Sequence, residues 1–171
     1  MKETVARITA DQVRSPRIRR LYEYWDIQRG RRGGVAPRRA DIAPDDIRDL
    51  LGNIMIVDVE RPAGGQPEPL RFRYRLVGTR VVEYNGGEFT GKYLGEIGWP
   101  EEADLLRSYI DMVESRRPCF GVIYWALVEG DTGHCEFARM PLSEDGVTVT
   151  QVLAIEDYDF ETFVAKPARP D

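Results

Sequence analysis

The chain has 171 residues, 42% hydrophobic and 31% charged, which is typical of one globular domain with short appendages. No apolar run approaches the roughly 18–20 residues that cross a bilayer, and the N-terminus lacks the apolar stretch of a signal peptide. We therefore expect a cytoplasmic protein without a membrane segment.

The net charge of −5 is unevenly distributed along the chain. Residues 1–39 carry 11 basic and 4 acidic side chains, whereas residues 40–171 carry 13 basic and 25 acidic ones. The basic segment Arg14–Arg39 has three interpretations: docking onto an acidic body, its own or a partner's; a solvated face; or contact with nucleic acid. We rank them in that order, and nucleic-acid binding is the alternative function that the sequence leaves open.

Ser15 and Pro16 predict the start of an N-terminal helix, with serine as the N-cap and proline at the first helical position. The glycine- and arginine-rich loop Arg29–Arg39 follows and predicts a loose tether to the rest of the chain. An apolar stripe at helical spacing can pack on its own domain or on a second copy. We favour a homodimer, because symmetric dimers dominate soluble oligomers. The predicted interface residues are Ile18, Leu21, Tyr22 and Trp25.

Two strands are predicted after a short helix that begins at Pro44. Asn53–Glu60 is an almost continuous apolar run, typical of an interior strand. The next strand begins at Arg71 and has one dry face, because apolar residues alternate with arginines. The dry-face residues are Leu70, Phe72, Tyr74 and Leu76.

Helices are predicted between this pair of strands and the C-terminal part. Thr79 and Thr90 are candidate N-caps of two short helices, each followed by glycines. A longer helix starts near Pro100 and must end before Pro118, since proline does not continue a helix.

Three C-terminal strands complete the predicted fold, over Cys119–Val128, Gly133–Leu142 and Val147–Ile155. Pairing about a turn near residues 130–131 places Cys119 opposite Leu142 and Cys135 opposite Ala126, so we expect two buried thiols that do not meet. The fold class is α+β: a five-stranded antiparallel sheet with helices on one face, plus the N-terminal helix. The expected division is residues 1–40 (helix and basic linker), 41–158 (the α+β domain) and 159–171 (a polar tail).

This element order, together with several local phrases, resembles the PAS-like domain family of alphaproteobacteria, often labelled a fifth PAS family. The phrases include LYEYW at Leu21–Trp25, FRYRLVGT at Phe72–Thr79, FTG at Phe89–Gly91 and MPLS at Met140–Ser143. The resemblance covers roughly residues 17–156. It implies a sensory or ligand-binding domain with no established catalytic residues and no attached kinase or cyclase.

The residues that could carry chemistry argue against an enzyme. Gly86–Lys92 matches part of a phosphate-binding loop, but Tyr93 stands where a serine or threonine is needed, and no strand precedes it. His134 is the only histidine, which excludes a catalytic triad and a two-histidine metal site. No cysteine lies in residues 79–100, where a light-sensing flavin domain needs one. We expect no metal, haem or covalent flavin.

Aromatic residues between the predicted helices and the dry sheet face suggest a pocket, because buried tyrosine hydroxyls orient a ligand in an apolar cavity. They equally suit a filled core. The pocket candidates are Tyr74, Tyr84, Tyr93, Trp99 and Tyr109. The sequence thus predicts a non-enzymatic sensory, ligand-binding or protein-interaction module. Its partners would be a second copy, a small molecule or a regulatory protein.

Overall fold

One antiparallel sheet of six strands organises the chain, in the order β1-β4-β5-β6-β2-β3. A computed structural model describes residues 5–64, 69–126 and 132–158. The strands are β1 (Val5–Ile8), β2 (Ile54–Glu60), β3 (Arg71–Val77), β4 (Cys119–Ala126), β5 (Thr132–Leu142) and β6 (Gln151–Asp157). The helices are α1 (Pro16–Arg31), α2 (Thr79–Asn85) and α3 (Glu102–Ser115), and the longest 3-10 helix spans Pro44–Asn53. The predicted α+β class is confirmed.

The sheet separates two hydrophobic cores, because alternate residues of each strand point to opposite faces. The inner face packs against α2, α3 and the loop between them, and the outer face packs against α1 and Pro44–Asn53. Inner-face residues include Met55, Val57, Phe72, Tyr74, Ile123, Cys135 and Phe137. Outer-face residues include Ile54, Ile56, Phe120, Met140, Leu142, Leu153 and Ile155.

The sheet has one strand more than predicted, and the extra strand comes from the N-terminal segment. We expected five strands, but β1 pairs with β4 and adds a sixth. Val5 lies opposite Ile123 and is buried. The physical reason is that β4 would otherwise present an open sheet edge with unpaired backbone groups, and sequence patterning does not reveal such a non-local need.

The predicted short helix after Thr90 is wrong. Residues 91–94 instead run along the outer edge of β3, where Tyr74 N donates to Lys92 O (3.0 Å) and Leu94 N donates to Phe72 O (2.9 Å). Hydrogen bonds to the backbone at the edge of β3 outweigh the weak tendency of so short a segment to form a helix. Thr79 is also not an N-cap, because α2 starts at Thr79 itself and Gly78 occupies the cap position.

The dry face of β3 is one residue shorter than predicted. A register irregularity between Ile56 and Val57 of β2 interrupts the alternation, and Leu76 is 44% exposed. A bulge turns the following side chains away from the face they would otherwise share.

The two cysteines are buried and free, as predicted, but their predicted register is wrong. Cys119 lies opposite Arg139, and Cys135 lies opposite Ile123. The strands therefore pair about residue 129 and not about residues 130–131. That turn, at residues 127–131, and the tail 159–171 lie outside the described residues.

Candidate functional site

A small cavity lies between the inner sheet face and the helices, and is called the inner cavity below. Its volume is about 10 Å³, room for about one water molecule. The loop between α2 and α3 closes it on one side, and β2, β3, β4, β5 and the end of β6 form the floor. The lining residues are Met55, Tyr74, Asn85, Phe89, Trp99, Glu101, Leu105, Ile123, Cys135, Glu156 and Tyr158.

Aromatic rings fill most of the space beside the inner cavity. Tyr74, Phe89 and Trp99 meet edge to face, with centroids 4.8 Å apart for Tyr74–Phe89 and 4.9 Å for Phe89–Trp99. Tyr84 packs on Tyr158 at 4.4 Å between centroids. Edge-to-face pairs add about 0.5–1.5 kcal/mol each beyond the area they bury, so these rings hold the helical layer on the sheet.

The five predicted pocket residues have different positions. Tyr74 and Trp99 line the inner cavity. Tyr84 lies behind Tyr158, and Tyr109 packs against Phe72 at 5.1 Å.

Tyr93 does not reach the inner cavity, so this part of the prediction is corrected. Its hydroxyl donates to Glu60 Oε2 (3.0 Å), and the Arg71 guanidinium lies 3.7 Å from its ring centroid. The position follows from residues 91–94 pairing along the edge of β3, which directs Tyr93 away from the inner core.

Several polar residues of the inner cavity were missed by sequence reasoning. The Tyr158 hydroxyl accepts a hydrogen bond from Asn85 Nδ2 (3.0 Å) and donates to the Glu156 carboxylate. Burial, followed by the Glu156 charge, raises the pKa of Tyr158 well above its usual value, so the hydroxyl keeps its proton. The predicted last strand ended at Ile155, so Glu156 and Tyr158 were assigned to no strand and to no face of the sheet.

A second polar cluster lies on the outer face, directly behind the inner cavity; we call it the α1 anchor. Glu136 accepts hydrogen bonds from the backbone N–H groups of Arg14 (3.0 Å) and Ser15 (2.8 Å). Asp157 accepts from Ser15 Oγ (2.6 Å) and Arg17 Nη1 (3.1 Å). Both carboxylates are buried and lie opposite each other in the β5–β6 pair.

The α1 anchor holds the first turn of the helix by hydrogen bonds, in addition to the packing of its apolar side chains. Ser15 Oγ donates to Asp157 and accepts from Ile18 N (3.1 Å), so one hydroxyl serves as both the N-cap and the link to the sheet. Negative charge near a helix N-terminus is favourable, because the unpaired N–H groups there carry partial positive charge.

The segment predicted to tether α1 loosely is in fact tied to the sheet domain. Arg32 Nη1 donates to Ala36 O (2.5 Å) and Ser143 O (2.7 Å), and Ser143 N donates to Pro37 O (2.9 Å). Several arginines of the basic segment also pair with acids of this chain, as the first of our three interpretations requires. The pairs are Arg17–Asp157, Arg20–Asp49 and Arg32–Asp41.

The predicted dimer-interface stripe of α1 is buried within the chain itself. Ile18, Leu21 and Trp25 are at most 2% exposed, and Trp25 Nε1 donates to Pro141 O (3.0 Å). Tyr22 packs edge to face on Phe120 at 5.0 Å. The outer face therefore accounts for the whole stripe without a second copy, and the interface assignment of these residues is corrected. The homodimer itself stays a prediction.

Across residues 5–64, 69–126 and 132–158, no group of three or more metal-ligating side chains converges on a point. In the same ranges, no helix has the length and apolar content to span a bilayer.

Comparison with known proteins gives one extensive match. A family model for the PAS domain matches residues 13–154. No curated protein matches the sequence.

Two solved structures resemble the chain at low identity. An RNA-binding light-oxygen-voltage receptor is 17% identical with a TM-score of 0.43, covering 72% of this chain and 35% of the receptor. The LOV protein of Rhodobacter sphaeroides is 14% identical with a TM-score of 0.44, and the match covers 66% of this chain and 64% of the LOV protein. The chain thus spans less than two thirds of either protein.

Proposed function

The chain belongs to the PAS domain family, and from this premise we propose that it is a non-enzymatic sensory module with a regulatory role. In this proposal a small molecule acts at the inner cavity, and α1 on the opposite face relays the change to a partner. The inner cavity is lined by two carboxylates, the Asn85 amide and the hydroxyls of Tyr74 and Tyr158, which can orient a bound molecule.

One observation carries the proposal: the inner cavity and the α1 anchor share two pairs of consecutive residues. Cys135 and Glu156 line the cavity, while their chain neighbours Glu136 and Asp157 hold α1 on the other face. Consecutive strand residues point to opposite faces. A shift of the β5–β6 backbone at the cavity therefore has to move the carboxylates that hold the helix.

The small size of the cavity determines how such a sensor would work. With about 10 Å³ available, a ligand larger than water has to displace aromatic side chains. Packed cores respond to displacement by switching between discrete arrangements and not by gradual deformation. Ligand entry would then be the structural change itself, and Tyr158, which follows Asp157 directly in the chain, is one of the lining residues adjacent to the α1 anchor.

Replacing Tyr158 with phenylalanine tests the relay without a known ligand. The change removes the hydroxyl that joins Asn85 and Glu156 and leaves the ring. We expect amide hydrogen exchange at Ile18, in the first turn of α1, to accelerate by about threefold to tenfold, because the β6 end loses a buried hydrogen-bonded link.

Tyr109→Phe is the control for this experiment. Tyr109 is also buried on the inner face, but its neighbour is the Arg139 guanidinium, 4.4 Å from its ring centroid, and it contacts neither Glu156 nor the α1 anchor by the hydrogen bonds described. Loss of its hydroxyl should leave exchange at Ile18 unchanged. If both variants change exchange equally, or if Tyr158→Phe affects only inner-face amides, the proposed relay is wrong.

A further inference from the structure

A second concavity lies on the outer face and is separate from the inner cavity. It occupies about 340 Å³ between the Pro44–Asn53 helix and the ends of β2 and β3, and we call it the outer groove. This volume is within the range of about 300–1,000 Å³ typical of small-molecule sites. Neither the family match nor the relay described above assigns it a role.

The outer groove is apolar along its length and charged at one point. Its walls include Ile47, Leu51, Ile54 and Leu76, and Leu51 and Leu76 are 38% and 44% exposed. Arg39 is the one charged residue among the lining residues. An exposed apolar surface next to a single cation favours a ligand with one apolar chain and one anionic group.

The Arg39 guanidinium is held in place but not neutralised. Its Nη1 donates to Ile42 O (3.1 Å), which fixes its position at the groove. Within the described ranges no carboxylate lies at ion-pair distance from it, in contrast to Arg20, Arg29 and Arg48 nearby. A positioned guanidinium with unused N–H groups matches the two oxygens of a carboxylate.

The outer edge of β3 does not favour an extended peptide as the occupant. The Phe72 carbonyl and both backbone groups of Tyr74 on that edge are already bonded to residues 91–94, so this part of the edge is occupied by the chain itself and is closed to strand addition. Only two of the described groove-lining residues, Arg39 and Thr79, have polar side chains. Two polar side chains are too few to pair with the many N–H and C=O groups of a peptide backbone.

We propose that the outer groove binds a free single-chain amphipathic carboxylate, such as a medium-chain fatty acid, with its carboxylate beside Arg39 and its chain along Leu51 and Leu76. The test uses decanoate below its micelle concentration, with decyl maltoside as the uncharged probe of the same chain length. Saturable binding is measured by titration calorimetry, and the site is located from methyl NMR signals of Leu51, Ile54 and Leu76.

Three variants separate the contributions. Arg39→Gln should weaken decanoate binding by at least about tenfold, since a charge-assisted contact is lost. Leu76→Glu should abolish binding by placing a negative charge on an exposed wall, where folding is unaffected. Arg48→Gln is the control, because Arg48 is exposed and paired with Asp45. The Arg48→Gln variant should bind decanoate with the affinity of the native protein.

Each other outcome overturns the proposal. Equal binding of decanoate and decyl maltoside would show a detergent-like surface without anion recognition. Binding that appears only with vesicles of anionic lipid would make the groove a membrane contact. Self-association that Leu76→Glu abolishes, without decanoate binding, would make it an interface between copies. Decanoate binding that shifts only inner-core methyl groups such as Val113 would move the ligand to the other face.

Discussion

Trp25→Ala is expected to lower the free energy of unfolding by about 3–5 kcal/mol, the usual cost of truncating a large buried aromatic side chain. Trp25 is 2% exposed, packs beside Tyr22 and donates a hydrogen bond to Pro141 O. Its loss leaves a cavity on the outer face and a buried carbonyl oxygen without its partner. Urea denaturation monitored by circular dichroism measures the change.

Ile27→Ala on the same helix is the control, because Ile27 is 56% exposed and its truncation should cost little. The sequence alone suggested a different result, in which Trp25→Ala dissociates a homodimer while the sheet stays folded. Light scattering on the two variants distinguishes these outcomes. A fully stable, monomeric Trp25→Ala protein derived from a dimeric native protein would contradict the packing of α1 described above.

Substitutions of Arg139 are expected to have opposite effects depending on the size of the replacement. Arg139 is 1% exposed, its Nη1 donates to Ser108 Oγ (2.7 Å), and its guanidinium lies 3.9 Å from the Phe137 ring centroid. No carboxylate pairs with it among the described residues. Burial lowers its pKa, while neighbouring Tyr109 and Cys119 raise it; the net direction is upward, so the charge persists at neutral pH.

Arg139→Ala should therefore destabilise the chain by about 2–5 kcal/mol through the cavity it leaves. Arg139→Met keeps most of the volume and removes an unpaired buried charge, so it should be neutral or stabilising by about 1–4 kcal/mol. The same denaturation measurement compares the two. Equal losses in both variants would show that the ring contacts and the Ser108 hydrogen bond outweigh the cost of burying the charge.

Features that depend on local pattern were predictable from the sequence. Ser15-Pro16 located the start of α1, although the helix continues to Arg31 and so into the predicted loop. The alternation in β3 identified Phe72 and Tyr74 as buried. Each of these predictions depends on residues close together in the chain, whose spacing directly reflects the period of a helix or a strand.

Features that depend on strand pairing were not predictable in the same way. Glu136 looks like an ordinary polar position of a strand, and Asp157 follows the predicted end of the last strand. Only the register of β5 with β6 places them side by side under α1. The surface that buries the apolar stripe of α1 was unpredictable for the same reason. Its hydrophobicity required a partner, but the choice between the outer face and a second copy depends on the shape of a sheet built from distant segments.

A double-mutant cycle between Ser15→Ala and Tyr158→Phe tests the central claim most directly. Ser15 belongs to the α1 anchor and Tyr158 to the inner cavity, and the two make no contact across the sheet among the hydrogen bonds described. If the β5–β6 backbone couples the two faces, the unfolding free energies should deviate from additivity by at least about 0.5 kcal/mol, as coupled sites do. Additivity within about 0.3 kcal/mol would mean that the two sites are independent and would contradict the relay.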